Sequence, residues 1–149
     1  MARKDSKGLT LIELLVVMAI IALLSSFIMV SLLSARDNAR DSAVIKTLSQ
    51  VRITGQMIFI ESGKYSDNNN LLCASNTLNV NNINHPELKN ILDRVNLYNG
   101  SKGILCNISA AGDNFCVRSP LNRGGYFCTD STGQATTLKT TCDATAECK

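Results

Sequence analysis

The chain has 149 residues, of which 45% are hydrophobic and 18% are charged, a composition that excludes a disordered, highly charged protein. Its formal net charge of +3 is too small to indicate nucleic-acid binding by itself. The length suits one domain with an attached element. Much of the positive charge lies in the leader, residues 1–8, where Arg3, Lys4 and Lys7 outnumber Asp5.

Residues 9–33 form an almost uninterrupted apolar run directly after this leader. A helix of this length extends for about 37 Å, which is enough to cross the hydrocarbon core of a bilayer. The run is longer than the apolar core of about 7–15 residues in a secretory signal peptide. The basic residues before it predict an N-terminus in the cytoplasm and the rest of the chain outside. The sequence thus predicts a single-pass protein of the cytoplasmic (inner) membrane.

The helical pattern continues beyond the apolar run, because no Pro or Gly interrupts residues 9–54. Apolar residues recur at steps of three and four, which is one helix face, at Val44, Leu48, Val51, Gly55 and Ile58. We expect Ile53, Met57 and Ile60 to widen this face, and Asp41 and Arg52 to lie on the opposite, polar face.

The pattern predicts one helix from about residue 9 to 61. Its first half, 9–33, is apolar, and its second half, 34–62, is amphipathic and packs against a soluble domain.

Residues 63–149 are expected to form a globular head. An Asn-rich segment, 67–84, predicts a loop, and the pattern at 86–98 predicts a short helix that stops at Asn99-Gly100. Residues 102–132 predict a three-stranded β-meander, in which Pro120 weakens the end of the middle strand. A polar tail with two cysteines follows. The fold class is α+β, with a long N-terminal helix on a small antiparallel sheet.

Six cysteines, an even number, lie in the second half of the chain: Cys73, Cys106, Cys116, Cys128, Cys142 and Cys148. In an exported segment they predict disulfides that staple the head, and their spacing lacks the short pairs of zinc sites. Turns centred near residues 111 and 122 would align Cys106, Cys116 and Cys128 in one row. This row favours a Cys116–Cys128 disulfide, and Cys73–Cys106 and Cys142–Cys148 are the other expected pairs among the fifteen connectivities open to six cysteines.

Glu13 is an ionisable residue near the front of the apolar run. A carboxylate costs a few kcal/mol at the centre of a bilayer, and such residues are usually functional. The alternative is an interfacial residue, since Glu13 is close enough to the start of the run to reach the head groups.

The stretch "KG-LTLIELLVVMAIIALL" resembles the class III signal of type IV pilins and type II secretion pseudopilins. The resemblance implies that a prepilin peptidase cuts after Gly8 on the cytoplasmic side and N-methylates Leu9. It also implies that Glu13, with Thr10 in the same motif, serves filament assembly. A looser resemblance extends through "ARDNARDSAVIKTLSQV" to "ESGKYSD", about half of the chain.

Two features depart from the pattern of this family. Val30 stands where many pilins carry a proline, which puts a kink there in doubt, and six cysteines replace the usual two.

Physical chemistry agrees with the resemblance. Cleavage gives Leu9 a free α-amine, which is positive at neutral pH, and Glu13 of a neighbouring subunit can neutralise it inside a filament. The sequence thus predicts a structural subunit of a type IV pilus-like filament. After assembly this filament is extracellular or periplasmic. The implied partners are copies of the chain, the prepilin peptidase, an inner-membrane assembly platform and, before assembly, membrane lipid.

Two other functions stay open. One is a minor pilin or pseudopilin of a type II secretion or DNA-uptake machine whose head binds a ligand. The other is a membrane-anchored extracellular binding domain. A DNA or surface ligand has no support, since the basic residues Lys102, Arg118, Arg123 and Lys139 are scattered.

An enzyme is not predicted. His85 has no partner motif, and no Gly-rich phosphate loop appears. Asp113 and Asp130 lack the loop motif of a calcium site. We therefore predict no catalytic residue, cofactor or metal.

Overall fold

The structure, a computed structural model, describes residues 10–67, 70–138, 142 and 146–148. The chain divides between Arg36 and Asp37 into two compact units. The first unit contains the apolar part of the N-terminal helix, and the second contains the amphipathic part together with the head.

Helix α1 runs from Leu11 to Ser62, 52 residues, which confirms the prediction of one long helix. It ends at Gly63, which has φ +71° and donates its N–H to the carbonyl of Phe59 at 2.8 Å. A left-handed glycine after the last turn is a common way to end a helix.

Two short hairpins interrupt the segment that was predicted as a loop, β1 (Ser66–Asp67) with β2 (Asn70–Leu71) and β3 (Cys73–Ala74) with β4 (Thr77–Leu78). Helix α2 follows at Glu87–Asn99 and ends at Gly100 in the left-handed conformation, as predicted. The fold class, α+β, is confirmed.

The main sheet is antiparallel and has four strands in chain order: β5 (Leu105–Ile108), β6 (Phe115–Pro120), β7 (Tyr126–Asp130) and β8 (Ala135–Leu138). The first three strands are the predicted meander. The fourth corrects the interpretation of residues 133–138 as part of a polar tail. Its sequence, "ATTL", has the Thr-rich composition of an edge strand, a signal that was overlooked.

The core of the second unit joins α1, α2 and one face of the sheet. The predicted stripe of α1 is confirmed, because Val44, Leu48, Val51 and Ile58 are fully buried. They pack with residues from α2 and from the sheet, including Leu88, Val95, Phe115 and Val117.

The predicted width of this face is wrong, because Ile53, Met57 and Ile60 are 57%, 49% and 82% exposed. Thr47 and Thr54 are buried at its flanks instead. The Thr47 hydroxyl donates to the carbonyl of Ala43 at 2.7 Å, so a polar side chain is accommodated there without an unpaired donor.

Asp41 is also buried rather than solvent-exposed, which corrects its assignment to the polar face. Its Oδ1 accepts hydrogen bonds from the backbone N–H and the side-chain amide of Asn122, at 2.6 and 3.0 Å. Its Oδ2 accepts one from the backbone N–H of Arg123 at 3.2 Å. The carboxylate therefore ties the β6–β7 loop to α1.

Gly55 lies on α1 where the helix touches the sheet. A Cβ at this position would lie 2.9 Å from Cε1 of Phe115 and 3.4 Å from Cδ2 of Leu72. Glycine costs about 1 kcal/mol in a helix relative to Ala, so its presence here has a packing reason.

We expect Gly55→Val to lower the free energy of unfolding by about 1–3 kcal/mol, because a branched side chain overpacks the contact with Phe115. Urea unfolding of the detergent-solubilised chain, followed by near-UV circular dichroism, measures this. Gln56→Val is the matched control, since Gln56 is exposed on the same helix. An equal effect of both substitutions would show that the helix propensity of Val, rather than its packing against Phe115, causes the loss of stability.

The strand register places the cysteines differently from the prediction. Cys106 pairs with Val117, and Cys116 pairs with Asn107 and Asp130. Adjacent residues of a strand point to opposite faces, so a shift of one residue separates Cys106 from Cys116. Cys106 lies in the core, whereas Cys116 and Cys128 lie in a second buried cluster on the other face.

All six cysteines form disulfides. Cys73–Cys106 is present as predicted, with the Cα atoms 5.6 Å apart. The pairs Cys116–Cys128 and Cys142–Cys148 are wrong, because the structure has Cys116–Cys142 and Cys128–Cys148. Both of these disulfides bind the C-terminal cysteines to the sheet.

Candidate functional site

Thr10 and Glu13 form a capping box at the start of α1. Glu13 Oε2 accepts hydrogen bonds from the Thr10 backbone N–H at 2.9 Å and from its hydroxyl at 2.7 Å. In return, the Glu13 N–H donates to the Thr10 hydroxyl oxygen at 3.4 Å. This reciprocal pattern satisfies donors that a helix start leaves without a partner.

The sequence contains the motif of a capping box, since "TLIE" is the pattern Thr-x-x-Glu before an apolar run. The sequence interpretation considered Glu13 only as an assembly residue or an interfacial one. The structure adds a third, local role. Both side-chain bonds go to Oε2, which leaves Oε1 with no hydrogen bond to another described residue.

Gly8 and Leu9, the predicted cleavage and methylation positions, lie outside the described residues. Their roles stay predictions. Thr10, the first described residue, begins the helix immediately after them. The structure thus brings together the two assembly candidates Thr10 and Glu13.

The apolar surface of α1 in the first unit is exposed. Every large hydrophobic side chain described between Leu11 and Leu33 is exposed to at least half of its surface. Among the described residues, α1 is the one helix long and apolar enough to cross a membrane. Such a surface needs lipid or other helices to cover it.

Three serines interrupt this surface without leaving free hydroxyl donors. The hydroxyls of Ser25, Ser26 and Ser31 donate to the carbonyls of Ile21, Leu23 and Phe27, at 2.7, 2.7 and 3.3 Å. Back-bonding of this kind satisfies a polar group inside the helix itself, as an apolar environment requires. The helix continues through this segment and through Val30.

The four cysteines outside the core bring their sulfurs together beneath the second face of the sheet. Cys116 Sγ lies 3.1 Å from Cys128 Sγ and 3.8 Å from Cys148 Sγ, although its bond is to Cys142. Within the described part of the chain, Cys116, Cys128 and Cys142 are the one group with spacing that suits a metal. Their sulfurs are bonded in disulfides.

His85 is buried before α2 and bridges two carboxylates. Its Nδ1 lies 3.0 Å from Glu87 Oε1, and its Nε2 lies 3.2 Å from Glu61 Oε2. These contacts connect the end of α1 to the start of α2, so His85 has a structural place in the head.

The described acidic and basic residues among these sequence candidates, Asp113, Asp130, Lys102, Arg118 and Arg123, contact other residues of the chain. Asp113 accepts from the Ser109 hydroxyl at 2.7 Å, and Asp130 accepts from Thr132, Gln134 and the Cys148 N–H. Arg118 lies over the Tyr126 ring at 4.7 Å. Further basic contacts join Arg123 to Asn38 and Lys102 to the Leu121 carbonyl, and Lys139 lies outside the described residues.

Comparison with known proteins bears on the N-terminal half. Residues 3–29 match the prokaryotic N-terminal methylation motif. The chain is also 40% identical over 65 residues to the type IV wide pilus major component PilA4 of Thermus thermophilus. This match covers 44% of the chain and spans about half the length of that relative. No solved structure matches the chain significantly.

The motif covers the capping box and most of the exposed apolar segment, and the relative is a pilus component. Together they show that the N-terminal part of the chain is similar to that of a type IV pilin.

Proposed function

We propose that the chain is a structural subunit of a type IV pilus-like filament and assembles through α1 after loss of residues 1–8. The observation that carries this proposal is a carboxylate, Glu13, at the start of a helix whose apolar surface is exposed. Copies of the same helix would cover this surface in the filament. The role is structural rather than enzymatic.

The capping box gives the proposed contact its geometry. Glu13 Oε2 is held by Thr10 of the same chain, so the rotamer of the carboxylate is fixed. Oε1 has no hydrogen bond to another described residue, and in the filament it accepts one from the α-amine of Leu9 on a neighbouring subunit. A buried amine without a counter-charge is costly, so the pair fixes the register of one helix against the next.

Before assembly, the proposal places α1 across the inner membrane, with the N-terminus in the cytoplasm and the head outside. The basic leader supports this orientation. The further partners are the prepilin peptidase and the assembly platform of the inner membrane. After assembly the subunit belongs to an extracellular or periplasmic filament.

Abundance separates this proposal from a minor pilin or pseudopilin. A major subunit should account for most of the mass of sheared filaments, whereas a minor one should be rare in them. Mass spectrometry of that fraction decides between the two.

Processing provides a direct test of the motif. We expect Gly8→Val to leave residues 1–8 attached, because a branched side chain keeps the peptidase from approaching the backbone, whereas Gly8→Ala should be partly cleaved. Intact-mass spectrometry of the membrane fraction measures both. Full cleavage of the Gly8→Val chain would contradict the assignment of the site.

A further inference from the structure

The two disulfides beneath the second face of the sheet are close enough to exchange. Four sulfurs lie in one buried cluster, in which each C-terminal cysteine is bonded to a different strand. Cys116 Sγ of one disulfide lies 3.1 Å from Cys128 Sγ of the other. This is shorter than the distance of 3.8 Å between Cys116 Sγ and Cys148 Sγ.

The backbone places both pairs of the alternative pairing on neighbouring backbone segments, and it gives Cys142 and Cys148 the separation that a disulfide needs. Cys116 and Cys128 are diagonal neighbours on β6 and β7, because Cys116 is opposite Asp130 and Cys128 is opposite Arg118. Cys142 and Cys148 are partners in an antiparallel bridge. Opposite residues of such a bridge have Cα atoms about 4.5–5.5 Å apart, which is within the range of a disulfide.

We propose that Cys116, Cys128, Cys142 and Cys148 form one thiol–disulfide exchange site, at which the sheet replaces its bonds to Cys142 and Cys148 by a Cys116–Cys128 bond. The exchange begins when the thiolate of an external thiol attacks Cys148 Sγ, so that a mixed disulfide forms at Cys148, the Cys128–Cys148 bond breaks and Cys128 leaves as a thiolate. This thiolate attacks Cys116 Sγ, the Cys116–Cys128 bond forms, the Cys116–Cys142 bond breaks, and Cys142 leaves as a thiolate. In each step one disulfide is lost and one is gained, so no oxidant is consumed.

The consequence is a change in how the C-terminal cysteines are held. In the structure, both are bonded to the sheet, and the Cys148 N–H also donates to buried Asp130 at 3.0 Å. After exchange, Cys148 carries the external thiol as a mixed disulfide, and the Cys142 thiolate can displace that thiol to form a Cys142–Cys148 bond. The external partner of the site is therefore a thiol–disulfide oxidoreductase or a small thiol in the compartment to which the head is exported.

The Cys148→Ser variant tests the attack of Cys128 on Cys116 without any added thiol, because it leaves Cys128 unpaired beside Cys116. The full chain in detergent at pH 8 is quenched with acid, alkylated while denatured and digested without reduction. Each cysteine lies on its own peptide after cleavage at Lys102, Asp113, Arg118, Arg123, Lys139 and Glu147. We expect a disulfide-linked Cys116–Cys128 peptide and at least about one tenth of the label on Cys142. This is the share expected if the Cys116–Cys128 and Cys116–Cys142 pairings differ in free energy by no more than about 1.4 kcal/mol.

Cys106→Ser is the matched control, because Cys73 and Cys106 belong to the core cluster. Its label should stay on Cys73. Retention of the Cys73–Cys106 disulfide shows that the Cys148→Ser chain is folded. If it is lost, Cys142→Ser takes its place, with label expected on Cys148.

The wild-type chain supplies a second arm. It should give no label by itself, and Cys116–Cys128 should appear after incubation with reduced glutathione while Cys73–Cys106 persists. Label confined to Cys128 in folded Cys148→Ser, or to Cys116 in Cys142→Ser, would overturn the proposal.

Discussion

Replacing Glu13 by Ala or by Gln is expected to remove the protein from filaments and to leave it in the membrane. Insertion should be unchanged or improved, because both substitutions remove an ionisable group from the lipid. The leader should still be cut, since Gly8 is untouched. Each subunit in a filament would instead bury an amine without a counter-charge, at a cost of about 3–5 kcal/mol. That cost corresponds to a loss of incorporation by about two to almost four orders of magnitude.

The two substitutions separate the two roles of Glu13. Glutamine can replace glutamate in a capping box, because its amide oxygen still accepts the Thr10 N–H. Glu13→Gln therefore keeps the cap and loses the charge, whereas Glu13→Ala loses both. Glu13→Asp should be intermediate, since the shorter side chain keeps the charge and reaches less far.

The comparison is made between the membrane pool and sheared filaments for each variant. The account requires Glu13→Gln to fail nearly as completely as Glu13→Ala. Normal filaments from Glu13→Gln would mean that the cap is the function of this residue, and normal filaments from both would make it an interfacial residue.

Asp41→Ala is expected to lower the free energy of unfolding of the head by roughly 2–4 kcal/mol. The substitution removes the acceptor of three hydrogen bonds from Asn122 and Arg123. A hydrogen bond to a charged group contributes about 1.5–3 kcal/mol, and the contributions of three bonds to one carboxylate overlap rather than add. The side-chain amide of Asn122 also keeps its bond to the Tyr98 carbonyl. The β6–β7 loop would then lose its link to α1.

Urea unfolding of the detergent-solubilised chain with its disulfides intact measures the effect of Asp41→Ala. Asp93→Ala is the matched control, because Asp93 is an exposed carboxylate on helix α2. We expect Asp93→Ala to change the midpoint little. Similar midpoints for the two variants would show that the hydrogen bonds of Asp41 add no more to the stability of the head than the exposed carboxylate of Asp93 does.

The long helix was predictable because its signals are local. Periodicity from Val44 to Ile58 follows the helix face, and Gly63 ends the helix as a residue that tolerates a positive φ. The width of that face was not predictable, since it depends on which part of the head lies beside each residue. Ile53 and Met57 are apolar and exposed, whereas Asp41 is charged and buried because a loop 81 residues later supplies its donors.

The disulfides show where local reasoning failed. The meander was predicted, but its register was displaced, because the positions of the two turns were estimated from composition alone. A small displacement exchanges the two faces of a strand, so Cys106 lies in the core and Cys116 on the other face. The capping box, by contrast, was present in the sequence as Thr10 and Glu13 and needed no tertiary information.

The most direct measurement on the central claim is the mass of the N-terminal peptide from the protein in sheared filaments. The account predicts a peptide that begins at Leu9 and carries one methyl group on its α-amine, because only a chain cut after Gly8 has the amine that Glu13 of a neighbour neutralises. Filaments built from chains that still begin at Met1 would contradict it.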